Sequence, residues 1–463
     1  MNGIKQNLLF LKKRLTNFNM KNLKRLLLLI VVVIIVAVVY NYPKLNMISG
    51  YAAKNMASNV FIANRTAEAI NKVDNNVPLI KLAKSKVDNK SKSATSSVYG
   101  LMSRKAVYRD GLGAVLVNDD YDPTKFTLQP HRDFTNTGLS FPYGDKKQKD
   151  TVFANIDYTK LLKAIGLGFS NPDVQKTRST IVIYKDQIIA EQYDGGFTKD
   201  TKILGWSMTK SIVSTLYGIL QCNGKLNVSQ LVPIPEWKND NRKNITYNHL
   251  LRMQSGLEWD ENYTEISDAT KMLFLESDMS LVQQNKDAIA KPTEIWNYSS
   301  GTSNLLSGLL KKNFKTHQEY LDFPYTSLID KIGMHSMLIE ADMVGNYVGS
   351  SYGWATTRDW AKFGLLYLHK GNWNGERIFD ANWVDYVAKP TAHSNGTYGA
   401  HFWLNAEGRF PDVPKDMYYA SGYQGQYVFI VPSKDLVVVR TGLATYPTFD
   451  LNGFLGGIVK AIK

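Results

Sequence analysis

The sequence predicts an α/β chain of the α+β kind: an antiparallel sheet covered by its terminal helices, with a mostly helical region inserted in the middle. Three observations carry this. STIVIYKDQIIAEQY (179–193) places two apolar runs around Lys185-Asp186, and QYVFIVPSKDLVVVRTG (426–442) does the same around Pro432 to Asp435, so each reads as a β-hairpin. Helical patterns flank the two hairpins, DYTKLLKAIGLGF before the first and FDLNGFLGGIVKAIK after the second. Between the hairpins, roughly 220–390, helices and loops predominate. A cleft between sheet and insertion is a natural place for a site.

At the amino end, residues 1–25 hold seven basic side chains and no acidic one, half of the formal net charge of +14. LLLLIVVVIIVAVVY follows, Leu26 to Tyr40, without a charge. Lys24 and Arg25 can snorkel at one end, and Tyr40 and Tyr42 suit the opposite interface. The expectation is an uncleaved single-pass anchor over 26–42. Residues 1–25 then lie in the cytoplasm, and everything after 42 lies outside the cytoplasmic membrane. Gly50-Tyr51-Ala52 is the one small-residue cleavage candidate, about ten residues beyond the run. Away from the first 25 residues the chain is only mildly basic, and no zinc-finger spacing or basic helix argues for nucleic acid. The one cysteine, Cys222, excludes an internal disulfide and reads as a small buried residue.

Residues 43–150 read as an extension and linker. Lys81 to Ser97 is polar and loop-like, and strand patterning recovers at AVYRDGLGAVLV, 106–117. A catalytic-sized domain then spans 151–463. Its first helix is expected to turn Leu161, Leu162, Ile165 and Leu167 to the core. After the first hairpin, GWSMTKSIVSTLYGILQ reads as a turn into a helix with Ile212, Val213, Leu216 and Ile219 buried. TTRDWAKFGLLYLHKG is a helix with Thr357 as N-cap and Gly371 past its end.

Three motifs carry chemistry. Ser207-Met208-Thr209-Lys210 occurs once, at the start of the apolar helix. Positions i and i+3 share a helix face, so Lys210 can reach the Ser207 hydroxyl. A serine needs a neighbour to take its proton, and a buried lysine of lowered pKa can do so. Alone, the pattern is equally an N-cap serine followed by an exposed lysine. Tyr298-Ser299-Ser300 lies on a polar turn into another apolar helix, where a phenol near an ammonium can relay protons. Tyr325-Thr326-Ser327 has the same form without the Ser/Gly-rich exit. Tyr419 to Gln426 leads into the last hairpin, where glycines let backbone N–H groups approach a ligand. Trp206, Trp259, Tyr263 and Trp403 are acyl-pocket candidates, with core or rim packing the equal alternative. The histidines show no metal spacing, and His401 reads as structural. The Gly-x-Ser-x-Gly elbow is absent at Ser207.

The ordered set Ser-x-x-Lys, Tyr-x-Ser, then Ala420-Ser421-Gly422 resembles the class C β-lactamase family. That group also holds DD-peptidases, family VIII esterases and 6-aminohexanoate-dimer hydrolases. HLLRMQSGLEWDENY, WNYSSGTSNLL and GYQGQYVFIVPSKDLVVVR resemble the last of these and its membrane-anchored relatives. The resemblance implies a β-lactamase/transpeptidase-like fold and a serine hydrolase that needs no cofactor or metal. It implies Ser207 as nucleophile, Lys210 as base and Tyr298 as the group that returns a proton to the leaving atom. Backbone N–H groups of Ser207 and Tyr423 would form the oxyanion hole. Ser421, Gly422, Ser300, Trp259 and Tyr263 would line the substrate site. Ser300 stands where the β-lactamases carry Asn, and Ala420 where they carry a strand lysine. Both changes favour a plain ester or amide, peptide-like or cell-wall-derived substrates included, over penicillin. The alternative is a penicillin-binding or DD-peptidase-like protein that acylates and turns over slowly. Ser267-Asp268-Ala269 departs from the Ser-Asp-Asn motif and reads as a cleft-lining loop.

Overall fold

The computed structural model describes residues 20–125, 127–135, 137–444 and 449–463. Most of the basic amino-terminal segment, residues 1–19, lies outside these. Helix α1, Met20–Phe61, begins the described chain. Its apolar residues from Leu23 to Val39 are exposed, whereas 47–50 and most of 52–59 are buried against the rest of the protein. Of its two halves, the first is long and apolar enough to cross a membrane.

The buried half of α1 lies on a four-stranded antiparallel sheet: β1 (Ala83–Asp88), β2 (Ser93–Val98), β3 (Leu101–Arg109) and β4 (Gly113–Val117). Small side chains let helix and sheet approach closely, with Ala53, Met56 and Ala57 meeting Ala94, Ala106 and Ala114. The loop expected over 81–97 is therefore corrected to a hairpin, β1 paired with β2. Its lysines alternate outward, Lys84 and Lys86 exposed, while Ser93, Ala94, Ser96 and Val98 face inward. Serine and threonine carry little strand signal by themselves. Here the cover supplied by α1 decides.

The main sheet has six antiparallel strands. Their spatial order is Trp403–Leu404 (β7), Tyr418–Gly422 (β8), Gln426–Val431 (β9), Leu436–Gly442 (β10), Thr177–Tyr184 (β5), Gln187–Tyr193 (β6). The two predicted hairpins thus meet edge to edge, Val438 opposite Val182. The turn at Lys185 and Asp186 is left-handed at both residues, as a tight hairpin demands.

Alternation sorts the two faces. Val182, Phe429, Val431 and Val438 meet Leu161, Ile165, Phe454 and Ile458 of the terminal helices, Tyr158–Leu167 (α2) and Leu451–Ala461 (α6). Ile181, Ile183, Val428 and Val437 meet Ile212, Leu216 and Phe363 of the insertion. Those come from Thr209–Cys222 (α3) and Thr357–Leu368 (α5).

Some local expectations shift. Leu162 and Leu167 point outward, and Ala164 takes the inward place between Leu161 and Ile165. The α5 N-cap is Thr356, whose hydroxyl accepts from Asp359 N. Ser267 caps a helix over Asp268–Leu275 rather than lining a cleft loop. Cys222 is exposed, because it is the last residue of α3, where the helix leaves the core. Tyr325 is buried and accepts from Ile339 N, a structural role.

The extension is tied to the catalytic body by buried charge. Lys54 of α1 meets Glu340 at 2.7 Å. Ser58, Trp354 Nε1 and Ala114 N also donate to the Glu340 carboxylate. Asp74 pairs with both Arg65 and Arg178.

Candidate active site

A short strand, Ile203–Leu204, delivers the chain to a tight turn ahead of α3. Gly205 has no room for a side chain, since a Cβ there would sit 2.3 Å from the Trp360 ring. Trp206 follows in the left-handed region at φ +47°. For a bulky residue this costs on the order of 1–3 kcal/mol, and the surroundings must impose it. The Thr209 hydroxyl does so in part, donating to Trp206 O at 2.7 Å while accepting from Gly353 N at 2.9 Å. The Trp206 ring is held between Tyr352 and Tyr423. Ser207 emerges half-buried at the head of the helix.

Lys210 stands one turn on and is 1% exposed. Its ammonium donates to Ser207 Oγ at 3.0 Å, Ser300 Oγ at 2.9 Å and the Ser350 carbonyl at 2.8 Å. An ammonium has three donors, so all are spent. Burial lowers its pKa to about 8, against the opposing charge of Glu261. Tyr298 sits beside them, its ring centroid 5.0 Å from the Lys210 nitrogen. Burial and the Glu261 charge push the phenol well above its ordinary pKa, and its hydrogen bond with Ser207 counts the other way. The pair therefore offers a lysine that can lose its proton near neutrality and a tyrosine that stays protonated. Trp403 and Tyr398 pack around the Tyr298 ring.

The structure brings Ser207, Lys210 and Tyr298 together. The remaining predicted residues separate into two groups. Tyr423, Tyr263, Ser421 and Gly422 stand at the mouth. Tyr423 is 39% exposed, and its ring lies 5.4 Å from that of Tyr263. Gly422 ends β8 against the nucleophile turn, where a Cβ would be 2.1 Å from Gly205 O. Only glycine lets the strand come this close, which places the Tyr423 backbone beside Ser207. Ser300 and Trp259 sit behind the site instead. Both are buried, facing a carboxylate rather than a substrate wall.

That carboxylate, Glu261, is the residue that sequence reasoning missed. Its oxygens accept from Trp259 Nε1, Tyr263 OH, Ser300 Oγ and, at 2.8 Å, Ser300 N. A chain of hydrogen bonds so runs from Ser207 through Lys210 and Ser300 to Glu261. The available signal was its place between Trp259 and Tyr263, two residues singled out for the pocket. His401 is structural as expected: it bonds the Leu251 carbonyl and Ser303, and burial lowers its pKa to about 3. Among the described residues no cluster of His, Cys, Asp and Glu could hold a metal.

A family described as Beta-lactamase matches residues 177–450, from β5 through the last hairpin and every site residue named above. The 6-aminohexanoate-dimer hydrolase of Paenarthrobacter ureafaciens is 22% identical over 317 residues, 62% of this chain and 78% of that protein. Among solved structures, one described as "Putative 6-aminohexanoate-dimer hydrolase from Bacillus anthracis" superposes with a TM-score of 0.56 at 18% identity, covering 74% of this chain and 93% of that one. The octameric penicillin-binding protein homologue of Pyrococcus abyssi gives 0.51 at 18% identity, over 66% and 78%. The two structural likenesses bear on the fold.

Proposed function

The chain belongs to the beta-lactamase family, and from that premise we propose that it is a membrane-anchored esterase or amidase working through an acyl-enzyme at Ser207. The observation that carries this reading is the Lys210 ammonium, dry and shared between Ser207 and Ser300. Lys210 in its neutral form takes the Ser207 proton as Oγ attacks the substrate carbonyl. The oxyanion that develops is met by the Ser207 and Tyr423 backbone N–H groups. Tyr298 gives a proton to the departing alcohol or amine and is reprotonated from Lys210. Water then enters by the reverse relay, releases the acid and restores the hydroxyl. Ala420 gives no cation on β8 for a substrate carboxylate, which favours plain esters and amides over penicillin.

The anchor reading rests on the exposed half of α1. The exposed stretch 21–44 rises about 36 Å at 1.5 Å per residue, enough for a hydrocarbon core of about 30 Å. Left in water, its leucines and valines would cost far more than a soluble protein tolerates. The basic excess in the first 25 residues favours a cytoplasmic amino terminus. Cleavage at Gly50-Tyr51-Ala52 would cut a helix whose Ala52 is wholly buried, which supports an uncleaved anchor.

The test is turnover of a panel of short-chain esters, aminohexanoate dimers and a chromogenic cephalosporin by the full chain in detergent, beside Ser207→Ala. We expect ester or amide turnover that the variant loses by at least a thousandfold. Undiminished turnover in Ser207→Ala rules the reading out.

A further inference from the structure

Anchored enzymes that act far from the bilayer need a tether, and among the described residues no loop separates the exposed apolar stretch of α1 from its buried half. Helix α1 runs from Met20 to Phe61 without a loop, with one proline, Pro43, inside it where the exposed stretch gives way to the buried one. Pro43 bends the helix at that junction, and the short helical run after it limits how far the active site stands from the bilayer.

The first buried turns of α1 lie against the elements that make the mouth. Met47 and Tyr51 belong to the same apolar cluster as Trp206, Trp259 and Tyr263. The Tyr51 ring meets Phe274 at 5.5 Å, in a helix that begins five residues after Tyr263. Arg104 clamps the same level, bonding Asn46 on α1 and the Phe274 carbonyl. Tyr51 is seven residues past Lys44, the last exposed position, which is about 10 Å along the helix axis. Headgroup layers are about 5–7 Å thick, so the level of Tyr51, against which the mouth packs, lies about 3–5 Å beyond their outer edge. The rim of the mouth, Trp206, Tyr263 and Tyr423, is aromatic, the chemistry that favours a membrane–water interface, while the loop that carries Tyr263 also bears Asp260, Glu261 and Glu265.

We propose that the substrate is membrane-borne: an ester or amide with one end embedded in the bilayer and its scissile bond held just above the headgroups. This rests on the hydrolase and anchor readings above. The C–O or C–N bond breaks as the bond from Ser207 Oγ to the acyl carbon forms. The Ser207 proton ends on the leaving alcohol or amine, and water frees the acyl group as its acid.

The experiment uses the full chain in phosphatidylcholine vesicles with two fluorophosphonate probes, one water-soluble and one carried on a dialkyl lipid in the same vesicles. Each is attacked by the serine with loss of fluoride. A second protein carries seven added residues, Glu-Ala-Ala-Ala-Lys-Ala-Ala, between Tyr42 and Pro43. Seven residues lift the body about 10 Å and return the same face to within about 20°. We expect Ser207 labelling by the soluble probe to stay within twofold, and labelling by the lipid probe to fall at least tenfold. Equal lipid-probe labelling in both proteins overturns the proposal, as does soluble-probe labelling of the unmodified chain without lipid-probe labelling. If neither probe labels Ser207, the acyl-enzyme reading itself fails and takes this one with it.

Discussion

Lys210 lies within a chain of hydrogen bonds from Ser207 to Glu261, and on the proposed mechanism its protonation decides whether Ser207 can act. Burial brings its pKa down to about 8, so the base form fills as pH rises through that value. The kcat/KM of an ester should therefore climb along an acid limb centred near pH 8, read from initial rates between pH 6 and 10. Glu261 acts on this group without touching substrate. It raises the Lys210 pKa and fixes Ser300, which in turn takes a hydrogen bond from the ammonium. In Glu261→Gln the acid limb should move to lower pH while kcat falls by roughly an order of magnitude, the cost of a misplaced proton relay. A pH profile that keeps its midpoint would make Glu261 a packing residue only. The Ser207–Lys210 pair was legible because one helical turn joins the two residues in sequence. Glu261 was not, because its place between Trp259 and Tyr263 points to the pocket but does not say that the acid folds inward while its aromatic neighbours close over it.

Among elements, the approach of β8 to the nucleophile turn carries the most consequence. Gly422→Ala would set a methyl 2.1 Å from Gly205 O, and neither backbone can yield without moving Ser207 or Tyr423. Overpacking of this kind costs about 1–3 kcal/mol, and here it should appear mainly in kcat, with the melting temperature lowered by only a few degrees. The Lys54–Glu340 pair behaves differently, since it lies away from the chemistry. Lys54→Ala leaves Glu340 buried beside Ser58 and Trp354 without its cation, a loss of about 3–5 kcal/mol visible in thermal unfolding. Lys54→Met with Glu340→Gln should recover most of it. The two hairpins of the main sheet could be read because apolar β-branched runs around short polar turns, Lys185-Asp186 and Pro432 to Asp435, mark strands directly. The β1–β2 hairpin could not, since its lysines and serines look like a linker until α1 covers one face.

For the whole molecule, α1 joins an exposed apolar stretch long enough to cross a membrane to a buried structural member. A chain beginning at Lys44 should remain folded and monodisperse in water, with an unchanged circular-dichroism melt. One beginning at Asn64 uncovers Ala94, Ala106 and Ala114, loses Lys54, and should aggregate or lose its cooperative transition. Sequence reading placed the apolar run and the hydrolase family, because hydropathy and motif order are local signals. It left the region between them as an extension and linker, because the helix that joins them is half apolar run and half alanine-rich core. The central claim remains chemical: an acyl group passes through Ser207. Rapid acid quench during turnover of a slow ester, followed by mass spectrometry of the tryptic peptide 203–210, tests it most directly. This peptide should gain the mass of the acyl group within the first turnover, and Ser207→Ala should gain none. Steady product release with that peptide unmodified throughout would contradict it.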